Sequence, residues 1–150
     1  MPEPTGIRAV LGFDFGLKRI GVAVGQSVTG SAAPLGVVAV KDGEPDWRSL
    51  DRLLEEWRPG TLVVGLPYNM DESEQDMTHK ARDFARRLEE RYTLPVHTVD
   101  ERLSSREAEA RLKEGRQQGR RRVSRADIDG AAACVILESW FNSQNRPRPA

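Results

Sequence analysis

An α/β domain with a five-stranded mixed sheet and helices on both faces is the fold the sequence predicts, and three observations carry that prediction. The first forty residues hold three Val-rich apolar blocks separated by short turn signals, the pattern of an antiparallel meander. After Pro45, apolar blocks of strand length alternate with stripes of helical period, the pattern of β/α units. A length of 150 residues, with 38% hydrophobic and 31% charged residues, suits one domain able to bury about two thirds of its unfolded surface without disulfides or a structural metal.

Taken in order, Arg8 to Asp14 is a buried strand, Gly16 to Arg19 a tight turn and Ile20 to Gly25 a second strand. Leu35 to Val40 is the third. Trp47, Leu50, Leu53, Leu54 and Trp57 then recur at helical spacing, with Pro45 at the start and Pro59-Gly60 as the stop. Thr61 to Leu66 is a continuous apolar strand of the kind buried on both faces. Ser73 and Asp76 resemble a capping box for a second helix striped by Met77, Ala81, Phe84, Ala85 and Leu88 and ending near Tyr92. Pro95 to Val99 is the fifth strand. A box at Ser104 and Glu107, stapled by Leu103 and Ala108, delays a third helix until after Glu101. Arg116 to Arg122 is a basic loop, and a last helix runs from Ser124 to Phe141. The domain thus spans residues 1–141, and residues 142–150, rich in Pro, Arg and Asn, are expected to be a flexible tail.

Several function classes drop out. No apolar run approaches the roughly 18 residues of a membrane span, and Met1-Pro2-Glu3-Pro4 lacks the regions of a signal peptide, so a cytoplasmic protein with no membrane partner is expected. The single cysteine, Cys134, lies among alanines and aliphatics and reads as a buried hydrophobe. His79 and His97 have no ligand spacing around them, so zinc has nothing to build on and any metal must be held by oxygen. Neither a G-x-G-x-x-G nor a P-loop pattern is present. Net charge is +0, and all but four of the 23 basic residues are Arg.

The most informative residue is Asp14, because an ionised carboxylate inside an apolar strand is costly to bury unless a cation or several donors compensate. Alternation sets Phe13 and Phe15 on the opposite face and Gly12 and Gly16 on the face of Asp14. Two missing side chains there are expected to leave room for a metal and a phosphate; the alternative is that Asp14 satisfies amides of the following turn. Asp100 and Glu101 end the fifth strand, where they can aim at the carboxyl edge of the sheet. Asp129 begins a core-facing stripe continued by Ala132, Ala133, Ile136 and Trp140, whereas Asp127 has the position of a first-turn charge. Singly these acids read as surface charges. Jointly, without His or Cys, they are the ligand set of Mg²⁺ or Mn²⁺, and two such ions about 4 Å apart catalyse phosphodiester hydrolysis.

Four ordered motifs carry a resemblance: Asp14-Phe-Gly16-Leu-Lys18-Arg19-Ile-Gly21-Val-Ala23, Val64-Gly-Leu-Pro67-Tyr-Asn69-Met-Asp71-Glu-Ser73, Asp100-Glu-Arg102-Leu-Ser-Ser105-Arg-Glu107-Ala-Glu109, and Asp129-Gly-Ala-Ala132 with Ile136-Leu137-Glu138. Over residues 8–141 the chain resembles the YqgF family of bacterial ribonuclease H-like proteins, described as Holliday junction resolvases and as the nuclease that matures pre-16S ribosomal RNA. The resemblance implies a ribonuclease H-like nuclease domain whose catalytic and metal-binding acids are Asp14, Glu101 and Asp129. Two positions depart from the family: Glu72 stands where Gly is usual, and Ser104 where Thr is usual, although Ser still caps a helix. The fourth strand ends in Gly65-Leu66-Pro67 with no acid, so Glu101 must fill that role.

Positive charge marks the substrate side. Arg116, Arg120, Arg121, Arg122 and Arg125 crowd ten residues, Lys18, Arg19 and Arg102 lie close in sequence to the acids, and Asn69 in the second motif joins this nucleic-acid-binding set. The other reading of the basic run is a solvated loop. Core stripes account for Trp47, Trp57, Trp140, Phe84 and Phe141, leaving Tyr68 and Tyr92 as stacking candidates. The reading preferred is a metal-dependent nuclease of structured RNA that processes the 5′ end of pre-16S rRNA, with precursor ribosomal particles as partners. A branched-DNA resolvase shares the same site, and a non-catalytic nucleic-acid-binding factor is the rival from another class. An actin-like ATP-binding domain also places Asp-x-Gly before a hairpin, but that fold needs two such domains and a second phosphate loop.

Overall fold

A computed structural model describes residues 9–26, 29–67, 76–100 and 125–145, with side chains of the last segment described from Gly130 to Ser143. Its elements are β1 (Ala9–Asp14), β2 (Arg19–Gln26), β3 (Ser31–Lys41), β4 (Glu44–Pro45), α1 (Trp47–Trp57), β5 (Thr61–Leu66), α2 (Asp76–Tyr92), β6 (Val96–Asp100) and α3 (Arg125–Asn145). The strands form one mixed sheet in the order β4-β3-β2-β1-β5-β6. β1, β2 and β3 are the expected antiparallel meander. β1, β5 and β6 run parallel, so their carboxyl ends share one edge.

The sixth strand, beyond the five expected, is the two-residue β4, which pairs Val40 with Pro45 and Lys41 with Glu44. Asp42 and Gly43 make the connection with φ of 52° and 80°. Two successive positive φ values match the twist of a hairpin, a geometry that Asp-Gly adopts cheaply. Pro45 is therefore a strand residue rather than the start of the first helix. Asp46 caps that helix instead, accepting from the Ser49 hydroxyl at 2.8 Å and, more loosely, from the Ser49 amide. β3 is longer than its apolar block suggested, and opposite the Val22–Ala23 step it carries one extra residue, Leu35, as a bulge. α3 continues to Asn145, four residues past the predicted end.

Alternation along the strands builds two cores. Leu11, Phe13, Ile20, Val22, Leu62 and Val64 pack beneath Leu50 and Leu54 of α1 and Ala81, Phe84 and Leu88 of α2. Phe84 sits edge-on to Phe13, with ring centroids 5.8 Å apart. On the opposite face Val10, Ala23 and Val63 pack beneath Ala133, Ile136, Leu137 and Phe141 of α3. Cys134 is buried there, as its neighbours implied. Trp57 is 37% exposed and so stands outside the core stripe assigned to it. Among the described residues, no helix is long and apolar enough to cross a membrane.

Glycines decide how close α3 comes. A Cβ at Gly12 would lie 2.5 Å from Leu137 Cγ, one at Gly25 2.8 Å from Phe141 Cε2, and one at Gly130 3.0 Å from Pro34 Cβ. Gly25 pairs with Val10 at the start of β1, and Gly12 lies further toward Asp14. α3 therefore crosses the sheet, with Gly130 against Pro34 of β3 and Leu137 against Gly12 of β1.

An ionic clasp joins α1 to the end of α2. Arg91 makes a bidentate pair with Asp51 at 2.9 and 2.8 Å, and the Tyr92 hydroxyl donates to the same carboxylate at 2.7 Å. Arg87 bonds Glu44 at 2.8 Å, and the Arg87 and Arg91 guanidinium carbons lie 5.1 and 4.9 Å from the Trp47 ring centroid. The Arg91 bond, helped by that of Tyr92, holds the Asp51 carboxyl at about 2 against an ordinary 3.8. With the folded value below the unfolded one, this contribution is complete above about pH 5 and is lost as pH falls from about 4 toward 2. Both partners are nearly half exposed, which limits it to less than about 1 kcal/mol. Asp51→Asn should lower stability at pH 7 and narrow the loss that the wild type suffers between pH 5 and pH 2. Parallel urea-unfolding profiles of the two proteins across that range would show that the clasp contributes nothing.

Candidate active site

Asp14 is the last residue of β1, half-buried, on the face that α3 covers further down the strand. The register reveals what surrounds it. Its lateral partner in β2 is Gly21, and its lateral partner in β5 is Gly65. Laterally paired residues project to the same face, so neither flanking strand places a side chain beside the Asp14 carboxylate in its own row. This corrects the expectation for Gly12 and Gly16. The space at Gly12 is taken by Leu137, and a Cβ at Gly16 would meet the Arg19 carbonyl oxygen at 2.6 Å, so those two glycines serve helix packing and the turn. Gly21 and Gly65 escaped the sequence reading because neither is near Asp14 along the chain. Only the pairing register brings them together.

The third parallel strand extends the same row. Gly65 pairs with Val99, and Leu66 with Asp100. Val99 thus shares the face of Asp14, whereas the exposed Asp100 belongs to the face of Leu66, that of α1 and α2. Asp100 and Asp14 stand on opposite sides of the carboxyl edge. Glu101 and Arg102 lie outside the described residues, as do Asn69, Tyr68, Arg120, Arg121 and Arg122. Asp129 and Arg125 belong to the first turns of α3, and their side chains are outside the described set. Among the described residues no three His, Cys, Asp or Glu side chains cluster.

The turn after β1 carries Lys18, exposed, and leads into Arg19, half-buried at the start of β2. The Lys18 carbonyl accepts the Val40 amide at 2.9 Å, which ties the turn to the end of β3. Two cationic residues thus follow within five positions of Asp14, on a backbone held to β3. Tyr92, one of the two stacking candidates, is committed elsewhere: its hydroxyl is bonded to Asp51, and burial, with that bond, pushes its ionisation up. Thr78, fully buried, donates its hydroxyl to the Pro67 carbonyl and so anchors the first turn of α2 to the end of β5.

Comparison with known proteins gives concordant matches. The family model described as "RuvX: Holliday junction resolvase" matches residues 8–143. A Legionella pneumophila (strain Paris) protein named "Putative pre-16S rRNA nuclease" is 51% identical over 138 residues, covering 92% of this chain and 96% of its own. A protein of the same name from Pseudoalteromonas translucida (strain TAC 125) is 47% identical over 141 residues, covering 94% of this chain and 93% of its own. Among solved structures, T. thermophilus RuvC in complex with Holliday junction substrate superposes with a TM-score of 0.54 at 19% identity, covering 91% of this chain and 95% of that one. At that identity the likeness concerns the fold, and it agrees with the ribonuclease H-like architecture expected from the sequence.

Proposed function

The chain belongs to the RuvX (Holliday junction resolvase) family, and from that premise we propose that it is a divalent-metal-dependent nuclease that hydrolyses phosphodiesters of structured RNA and processes the 5′ end of pre-16S rRNA. The observation that carries the chemistry is Asp14 at the carboxyl edge of the sheet, flanked by Gly21 and Gly65. Relatives that share about half their residues with this chain over nearly its whole length, and are named for pre-16S rRNA, support the choice of RNA. The setting proposed is the cytoplasm, on precursor ribosomal particles.

Asp14, Glu101 and Asp129 are the residues that would hold Mg²⁺ or Mn²⁺. The donor chemistry fits: a half-buried carboxylate with a side-chain-free row on each side suits a hard ion that keeps its waters. When bound, such an ion supplies an activated water and stabilises the leaving oxygen. Asp100 lies on the other face of the sheet, so it is not the acid assigned beside Asp14. Lys18 and Arg19 are assigned to the phosphates beside the scissile bond, and Asn69, Arg102, Arg120, Arg121, Arg122 and Arg125 to phosphates farther along.

The second reading, a branched-DNA resolvase, is favoured by the description of the matching family. Incubating the protein with end-labelled precursor RNA and with a four-way DNA junction, each with Mg²⁺, Mn²⁺ or chelator, separates the two. The precursor RNA should be cut in the presence of either ion, and chelator should stop the reaction. Cleavage of the junction alone would establish the resolvase, and tight binding of both without cleavage would make the protein a non-catalytic binding factor.

A further inference from the structure

On the other side of the carboxyl edge from Asp14, a cavity of about 350 Å³ opens between the β1–β2 turn, the β3–β4 hairpin and α2. Its floor is apolar, made by Phe15, Val40, Pro45 and Phe84, all buried. Leu17 stands at its lip with 53% of its surface exposed, on the turn directly after the strand that carries Asp14. Charge around the rim is uneven. Arg87 is engaged by Glu44, and Asp83 by Arg86, which Glu90 shares. Lys80, exposed at the rim, has no ion-pair partner among the described residues.

An apolar slot with one cation at its mouth suits a flat, weakly polar body that carries an anion. The volume is at the low end of small-ligand sites and suits about one base with its sugar. Phe15 and Leu17 follow Asp14 by one and three residues, so the slot lies within roughly 10 Å of it along the chain. Building on the nuclease reading, we propose that this slot holds an unpaired nucleotide of the substrate strand, its base against Leu17 and the Phe15–Phe84 floor and its phosphate at Lys80. A strand bound at Asp14 must cross the sheet edge to reach the slot. A stacked duplex cannot make that turn, whereas a single strand with an unstacked base can. The slot therefore selects sites where paired structure gives way to an unpaired nucleotide.

The test is binding, measured on Asp14→Asn protein so that cleavage plays no part, and it uses a fluorescein-labelled oligouridylate and a blunt RNA duplex as probes. Leu17→Ala and Lys80→Gln, both at exposed positions, should each weaken oligouridylate binding about tenfold, leave the duplex within about twofold, and keep the parent's melting temperature. A 4-thiouridine oligonucleotide should cross-link to the peptides containing Leu17 or Phe84. Equal weakening of both probes, no weakening of either, or cross-links confined to other peptides would overturn the slot, even if wild-type protein cleaves RNA. Conversely, loss of oligouridylate binding on these substitutions, in a protein that cuts nothing with any metal, would uphold the slot and overturn the nuclease.

Discussion

Asp14→Asn is expected to lower metal-dependent cleavage by at least about a thousandfold, equivalent to roughly 4 kcal/mol of transition-state stabilisation, while the protein stays folded and equally or more stable. The asymmetry follows from position. A half-buried carboxylate at the end of an apolar strand carries a desolvation cost, which removing the charge relieves. Asn keeps the volume and most of the hydrogen-bonding capacity, so packing around Gly21 and Gly65 is undisturbed. A site built for function rather than stability behaves in this way. Rates on precursor RNA at saturating Mg²⁺, with thermal unfolding of the same samples, decide the matter. Wild-type cleavage by the purified variant would sink the nuclease assignment, and unfolding of the variant would show that Asp14 is a structural residue satisfying its turn.

How much of this was legible in the sequence depended on how local the signal was. The meander, α1, α2 and the apolar β5 were readable because each rests on a period of two or 3.6 within a short window. The hairpin that adds β4 was missed although Asp42-Gly43 is a strong turn signal, because Pro45 also looked like a helix start. Asp14 was legible as a charge out of place. The glycines that bare its flanks were not, since Gly21 and Gly65 come from two other strands and only the register places them beside it. The cavity beside Leu17 was equally invisible, because α2, the turn and the hairpin meet only in the folded chain.

The second large effect concerns the contact between Gly12 and Leu137. Leu137 is fully buried, and a methyl group at position 12 would lie 2.5 Å from its Cγ, far inside van der Waals contact. Gly12→Ala should therefore destabilise the protein by about 1–3 kcal/mol through overpacking. Leu137→Ala should cost about 2–5 kcal/mol through the cavity it leaves. The double variant is the sharper measurement, because the methyl at position 12 then enters the vacated space. Urea unfolding should give a double variant more stable than the sum of the single losses, by at least about 1 kcal/mol. Strict additivity would mean that α3 simply shifts away from β1 and that the close approach holds nothing together.

That approach also bears on the order in which the protein becomes stable during synthesis. The strands of the meander emerge from the ribosome early, and α1 and α2 cover one of their faces as they follow. The other face, with Val10, Gly12, Ala23 and Val63, is sealed by a helix that comes after every strand among the described residues. Until Ala133 to Phe141 have been made, an apolar sheet surface stays open to water and to other nascent chains. Contacts between segments so distant in sequence are slow to form, because loop closure must precede any gain from burial. Translation adds roughly 5–20 residues per second, so the bare face persists for seconds, long enough for chaperones to engage it before α3 arrives.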